Sequence, residues 1–164
     1  MNNQDFSSTI LVDQTQKQAF DAVNNVRGWW SESIEGSTDT LNSEFNYHYE
    51  DVHRCTMKII ELIPAQKVVW LVTDNYFNFT SDKSEWINTK IIFEIAAKDD
   101  KTEVRFTHQG LVPQYECYRV CHEAWTHYIQ ESLRDLIVAN SGQPELTDEE
   151  NSYNARLADK FDLK

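Results

Sequence analysis

Lys101–Ile137 reads KTEVRFTHQGLVPQYECYRVCHEAWTHYIQESLRDLI, and its hydrophobic period changes halfway along. Up to Gln109 the period is two, with Val104 and Phe106 sharing one face and His108 continuing their phase. That is the alternation of a half-buried strand. After Gly110 and Pro113 the spacing becomes three and four. Tyr118, Cys121, Trp125, Tyr128, Ile129, Leu133, Leu136 and Ile137 trace one broad stripe to about Asn140, with Gly142 as its stop. At about 1.5 Å per residue such a helix reaches roughly 35–40 Å, enough to cross a whole sheet. A strand delivering directly into a long amphipathic helix, after a run of earlier strands, suits an α+β fold.

The segments before it supply the sheet. Phe6–Val12 reads as a first strand, and Thr15 with Gln18 has the spacing of a capping box opening a helix whose apolar face is Ala19, Phe20, Val23 and Val26. Gly28 ends that helix, and Trp29 and Trp30 fall in the turn that follows. From about Leu41 the period is two. Phe45, Tyr47 and Tyr49 share a face, then Cys55, Met57 and Ile59, with a phase slip at Ile59–Ile60 that marks a bulge. Pro64–Lys67 is a turn, Val68–Thr73 a central strand containing Trp70, and Thr89–Ala97 a strand burying Ile91, Phe93 and Ile95. Short turns between consecutive strands imply an antiparallel meander. The connection Asp74–Trp86 is long and aromatic, and reads either as a lid or as an extension of both flanking strands that pairs its aromatics across the hairpin.

Composition narrows the function. A formal charge of −12 on 164 residues excludes nucleic acid and anionic membrane surfaces as partners, since both are bound through Lys and Arg clusters. No signal peptide or membrane-spanning run is legible, and three cysteines without secretory context suit reduced thiols in a cytoplasmic protein. Cys117, Cys121 and His122 lack the paired-ligand spacing of structural zinc, so no metal is expected, and no cofactor fingerprint is present.

One early helix, a curved antiparallel sheet and a long C-terminal helix across its concave face make the helix-grip arrangement. AFDAVNNVRGWW (residues 19–30) resembles the helix-then-tandem-Trp opening of the activator-of-heat-shock-protein-90-ATPase-like branch of the START-related (SRPBCC) superfamily. The Lys101–Ile137 stretch is similar to that branch's final strand and helix, and WLVTDNYFNFTSDKSEW (residues 70–86) to bacterial members known only by the domain. The resemblance implies one helix-grip domain over residues 1–142, with 143–164 as an extension. It leaves function open, because the superfamily hosts lipid binders, cyclases and a co-chaperone domain.

The inward phases, taken with that fold, name a set of ligand-binding candidates: Trp30, Tyr47, Tyr49, Met57, Trp70, Phe93, Phe106 and His108, facing Tyr118, Cys121, Trp125 and Tyr128. They form either the lining of a cavity or a solid aromatic core. Trp30 is expected to plug one open end, with Trp29 on the helix or rim. His108 reads as the pole for a carbonyl or carboxylate, or as a core histidine bonded to a tyrosine hydroxyl or backbone carbonyl. The leading expectation is non-enzymatic binding of a small apolar or amphipathic molecule, with no catalytic residue assigned. A cyclase- or hydratase-type enzyme using His108 and pocket tyrosines, or a chaperone-interacting domain, are the alternatives. In the tail, Thr147 with Glu150 has capping-box spacing and Tyr153, Leu157 and Phe161 form a stripe. A helix so short needs a surface, in its own domain or in a second subunit of a homodimer.

Overall fold

A computed structural model describes residues 4–146 and 152–163. Seven antiparallel strands form one sheet: β1 (Phe6–Val12), β2 (Glu35–Gly36), β3 (Glu44–Tyr49), β4 (His53–Ile63), β5 (Lys67–Phe77), β6 (Lys90–Lys98) and β7 (Lys101–Gln109). Their spatial order is β1-β7-β6-β5-β4-β3-β2, so β3 to β7 are a meander and the first strand closes the far edge against the last. Every alternation in the sequence from Phe45 to His108 has its phase realised: Phe45, Met57, Ile59, Trp70, Ile91, Phe93, Val104 and Phe106 are all completely buried. The bulge lies where the phase slips, between Ile59 and Glu61, and a second register shift falls between Thr56 and Met57. Both sharpen the twist that lets the sheet wrap around a helix.

The gripped helix is continuous from α2 (Tyr118–His127) through a π-helical segment (Tyr128–Leu133) to α3 (Arg134–Ala139). Trp125, Tyr128, Ile129, Leu133 and Ile137 of its stripe are buried, whereas Tyr118 and Leu136 are half-buried. Its stop differs from the sequence expectation. Asn140 takes the left-handed cap, at φ 55°. Gly142 has another job: a Cβ there would lie 2.2 Å from the Gly28 carbonyl oxygen, so glycine is required where the departing chain crosses the tandem-Trp turn.

α1 (Gln16–Asn24) opens with the Thr15–Gln18 capping box, both reciprocal bonds being present. It ends at Asn24, earlier than Gly28, and a 3-10 turn over Val26–Gly28 intervenes. That turn explains why two adjacent tryptophans enter one core. The Trp29 and Trp30 amides both reach the Val26 carbonyl, a tight reversal that brings both side chains inward. Trp29, expected on the helix or rim, is fully buried. Its ring lies nearly parallel to Trp70, its indole N–H donates to the Val23 carbonyl at 3.1 Å, and Ser132 donates to its carbonyl at 2.6 Å.

The connection after β5 divides between its two readings. β5 does continue to Phe77, but it pairs there with β4 (His53 opposite Phe77), and β6 starts only at Lys90. Residues 78–89 therefore form a loop folded over the end of the grip. The Glu85 carboxylate holds it down by accepting from the Glu116 and Cys117 amides at 2.9 and 3.1 Å. Those amides begin the long helix, whose own cap residue offers no side-chain bond. A buried anion there also meets the positive end of the helix dipole.

Candidate functional site

The tail builds the last wall. α4 (Tyr153–Phe161) is capped by Ser152, whose hydroxyl accepts from the Ala155 amide. The expected Thr147–Glu150 box lies outside the described residues. The helix docks on its own domain. Tyr153 stacks on His127 at 3.7 Å and donates to the Glu123 carbonyl, Lys160 pairs with the Glu123 carboxylate at 2.7 Å, and Asn78 donates to the Leu163 carbonyl. From its inner face Asn154 reaches two tyrosines. It accepts from the Tyr128 hydroxyl at 2.8 Å and donates to the Tyr47 hydroxyl at 3.1 Å.

Beneath α4 lies a cavity of about 60 Å³, bounded by the ends of β3–β5, the 78–89 loop and α2. Six of the twelve candidates line it: Trp30, Tyr47, Tyr49, Cys121, Trp125 and Tyr128. The other six do not. Met57, Trp70, Phe93 and Phe106 are completely buried in the core, filling the far half of the grip, and Tyr118 packs half-buried against His122. Both open readings of the interior are thus realised in part, a solid core at one end and a void at the other.

His108 is among the six that stay outside. Its Nδ1 accepts from the Trp125 indole N–H at 3.1 Å, so its Nε2 carries the proton and donates to the Thr89 hydroxyl at 2.8 Å. Thr89 in turn donates to the Trp86 carbonyl. Burial holds the imidazole at a pKa of about 3, hence neutral. It is a core histidine, bonded to a threonine and a tryptophan in place of a tyrosine or a carbonyl. Among the described residues no carboxylate bonds to it.

Two polar residues that line the cavity, His53 and Asn154, are ones the sequence reading left out. His53, at the start of β4, occupies the phase of Cys55 and Met57 and stacks on Phe77 at 4.3 Å. Its Nε2 lies 2.9 Å from Asn75 Oδ1, and the amide of Asn75 is oriented by donating to the Lys83 carbonyl at 3.1 Å. Burial lowers His53 to about 3 as well. Tyr47, ring-stacked on Trp30 at 4.3 Å, has its hydroxyl pushed well above the usual range, first by burial. Phe77, Phe79 and Trp86 from the loop side, with Leu157 and Leu163 from the tail, complete apolar walls. Among the described residues no lysine or arginine lines them.

The three cysteines are buried free thiols. Burial raises Cys55, and hydrogen bonding with Cys121 followed by burial raises Cys117. Such groups are poor nucleophiles and poor ligands, both roles being played by the thiolate. Among the described residues no group of three His, Cys, Asp or Glu side chains converges as metal ligands would, and no helix is long and apolar enough to cross a membrane.

This combination of a curved sheet and a gripped helix is shared by many solved structures. A family model described as Activator of Hsp90 ATPase homolog 1-like protein matches residues 18–137, and the chain belongs to that family. Among solved structures, the Aha1 dimer from Colwellia psychrerythraea superposes with a TM-score of 0.67 at 21% identity, covering 84% of this chain and 98% of that one. SSP2350 from Staphylococcus saprophyticus gives 0.63 at 15% identity, over 87% and 98%. CalU16 from Micromonospora echinospora gives 0.58 at 11% identity, over 95% and 82%. At these identities the likeness is one of fold. No curated protein matches the chain by sequence.

Proposed function

We propose that the protein is a binding module that holds a small molecule, apolar in body and polar at one end, in the cavity beneath α4. The single observation carrying this reading is the division of the interior. One half of the grip is packed solid, while the half roofed by the tail keeps a void walled by aromatic rings and a few fixed polar groups. A fold that merely needed a core would fill both halves, because an unfilled void forgoes packing contacts. An apolar body gains roughly 25 cal/mol per Å² of apolar area buried, provided its polar end is not stranded. At about 60 Å³ the cavity admits only a few heavy atoms, and a larger molecule needs the tail or the 78–89 loop to shift.

Neither alternative draws comparable support. Acid–base catalysis needs a group in reach of the substrate with a pKa near working pH, and His108 is enclosed, doubly bonded and neutral. For docking a chaperone, the outer sheet face offers cross-strand charge pairs such as Glu94 opposite Arg105 and Glu44 opposite Lys58. The exposed apolar side chains Leu11 and Ile63 stand on strands four places apart in the sheet order.

The test is native mass spectrometry of the protein purified from its own host, beside a Cys121→Phe variant that fills the void. A bound small molecule in the natural protein and none in the folded variant is the expected result. Equal masses to the bare chain in both, with no saturable uptake of added apolar molecules, would end the reading.

A further inference from the structure

Resting on that reading, we infer that the polar end of the ligand is an uncharged hydroxyl, an alcohol or phenol, held between His53 Nδ1 and the Tyr47 hydroxyl. The chain of reasoning starts at Lys83. Its carbonyl accepts from Asn75 Nδ2, which fixes the amide so that Oδ1 faces His53. A carbonyl oxygen cannot donate, so His53 Nε2 must carry the ring proton, and in a neutral imidazole Nδ1 is then a bare acceptor. Among the described residues nothing donates to that nitrogen. Nor is it one of the fully occluded polar atoms without partners. His53 keeps some accessible surface although it lies deep enough for burial to dominate its titration. The ring is one of the side chains that line the cavity.

Tyr47 supplies the complement. Its hydroxyl accepts from Asn154, and Asn154 Oδ1 is already taken by Tyr128, so the Tyr47 proton remains to be donated. The two rings stand 5.3 Å apart between centroids on the same cavity wall. One acceptor beside one donor is the complement of a group that both donates and accepts, which a hydroxyl does and a carbonyl does not. A carboxylate fares worse still: it would leave His53 Nδ1 facing another acceptor, with no lysine or arginine among the described wall residues to offset its desolvation.

Three molecules of one shape separate these cases: p-cresol, p-xylene and p-toluate, which carry a hydroxyl, a methyl and a carboxylate on the same body. Titrated into the full chain, p-cresol should bind about tenfold tighter than p-xylene, the worth of one well-made buried hydrogen bond, and p-toluate weakest. The imidazole nitrogen resonances of His53 should show an unprotonated Nδ1 that moves with p-cresol and not with p-xylene. H53F should reduce p-cresol to the affinity of p-xylene. If p-xylene binds and p-cresol is no tighter, or if p-toluate is tightest, the hydroxyl assignment is wrong while the cavity stands. If none of the three binds, both fall. Should H53F fail to fold, the resonances in the natural protein decide: a protonated Nδ1, or one that ignores p-cresol, overturns the assignment.

Discussion

At the scale of single residues, the interior is governed by which polar atoms find partners. His53 and His108 are both held near 3 by burial, whereas imidazole in an unfolded chain titrates near 6.5. Between those values the unfolded state binds more protons. Stability therefore rises with pH across that window and is lost as pH falls below about 6.5, by up to about 1.4 kcal/mol per pH unit for each histidine. His127, lowered by burial too, acts in the same direction. The urea midpoint should accordingly drop between about pH 7 and about pH 5, before most carboxylates titrate, and a flat midpoint would contradict neutral burial of both rings. Residue identity was readable here only in part. The phase of β4 carried His53 inward just as it carried Cys55, but the search for a polar pole settled on His108 because it continues the inward phase of Val104 and Phe106. Only the side-chain partners, from Thr89 and Trp125 on one side and Asn75 on the other, tell the two histidines apart.

Elements show a sharper division between what local pattern encodes and what it does not. Strands, the capping box and the bulge were legible because each follows from spacing within about ten residues. The route of the 78–89 loop was not, since the contact that fixes it, Glu85 on the amides of Glu116 and Cys117, joins residues more than thirty apart. Glu85→Ala should cost about 1–3 kcal/mol by stranding those two amides. It should also raise amide exchange in 78–89 more than in the sheet, and equal protection in both would show that the loop is held by its aromatics alone. α4 was foreseen as a helix needing a surface, yet its start is set by Ser152, and its seat by Asn154 bridging Tyr47 and Tyr128. Asn154→Leu keeps the volume and removes both bonds. The expected outcome is a loss of about 1–3 kcal/mol and faster exchange of the helix amides. Unchanged protection would mean that the Tyr153–His127 stack and Lys160–Glu123 pair suffice.

For the molecule as a whole, the helix grip imposes an asymmetry that only the assembled sheet reveals. Trp29, Trp70, Phe93 and Phe106 fill the end nearest α1 with mutually packed rings. At the other end the strands part, and α4 and the loop roof the opening without filling it. The inward faces were predicted correctly strand by strand, but phase alone cannot tell an inward residue that meets another ring from one that meets space. That is why five of the twelve candidates, Met57, Trp70, Phe93, Phe106 and His108, belong to the core. The claim on which the function rests is that this space is a receptive apolar cavity in the folded chain. Xenon tests it most directly, because it enters apolar voids by shape and polarisability and needs no knowledge of the natural ligand. A crystal of the full chain under xenon pressure should show an ordered atom among Trp86, Cys121 and Leu157, and Cys121→Phe should abolish it. A natural protein that takes up no xenon there, with those side chains closed on one another, would contradict the account.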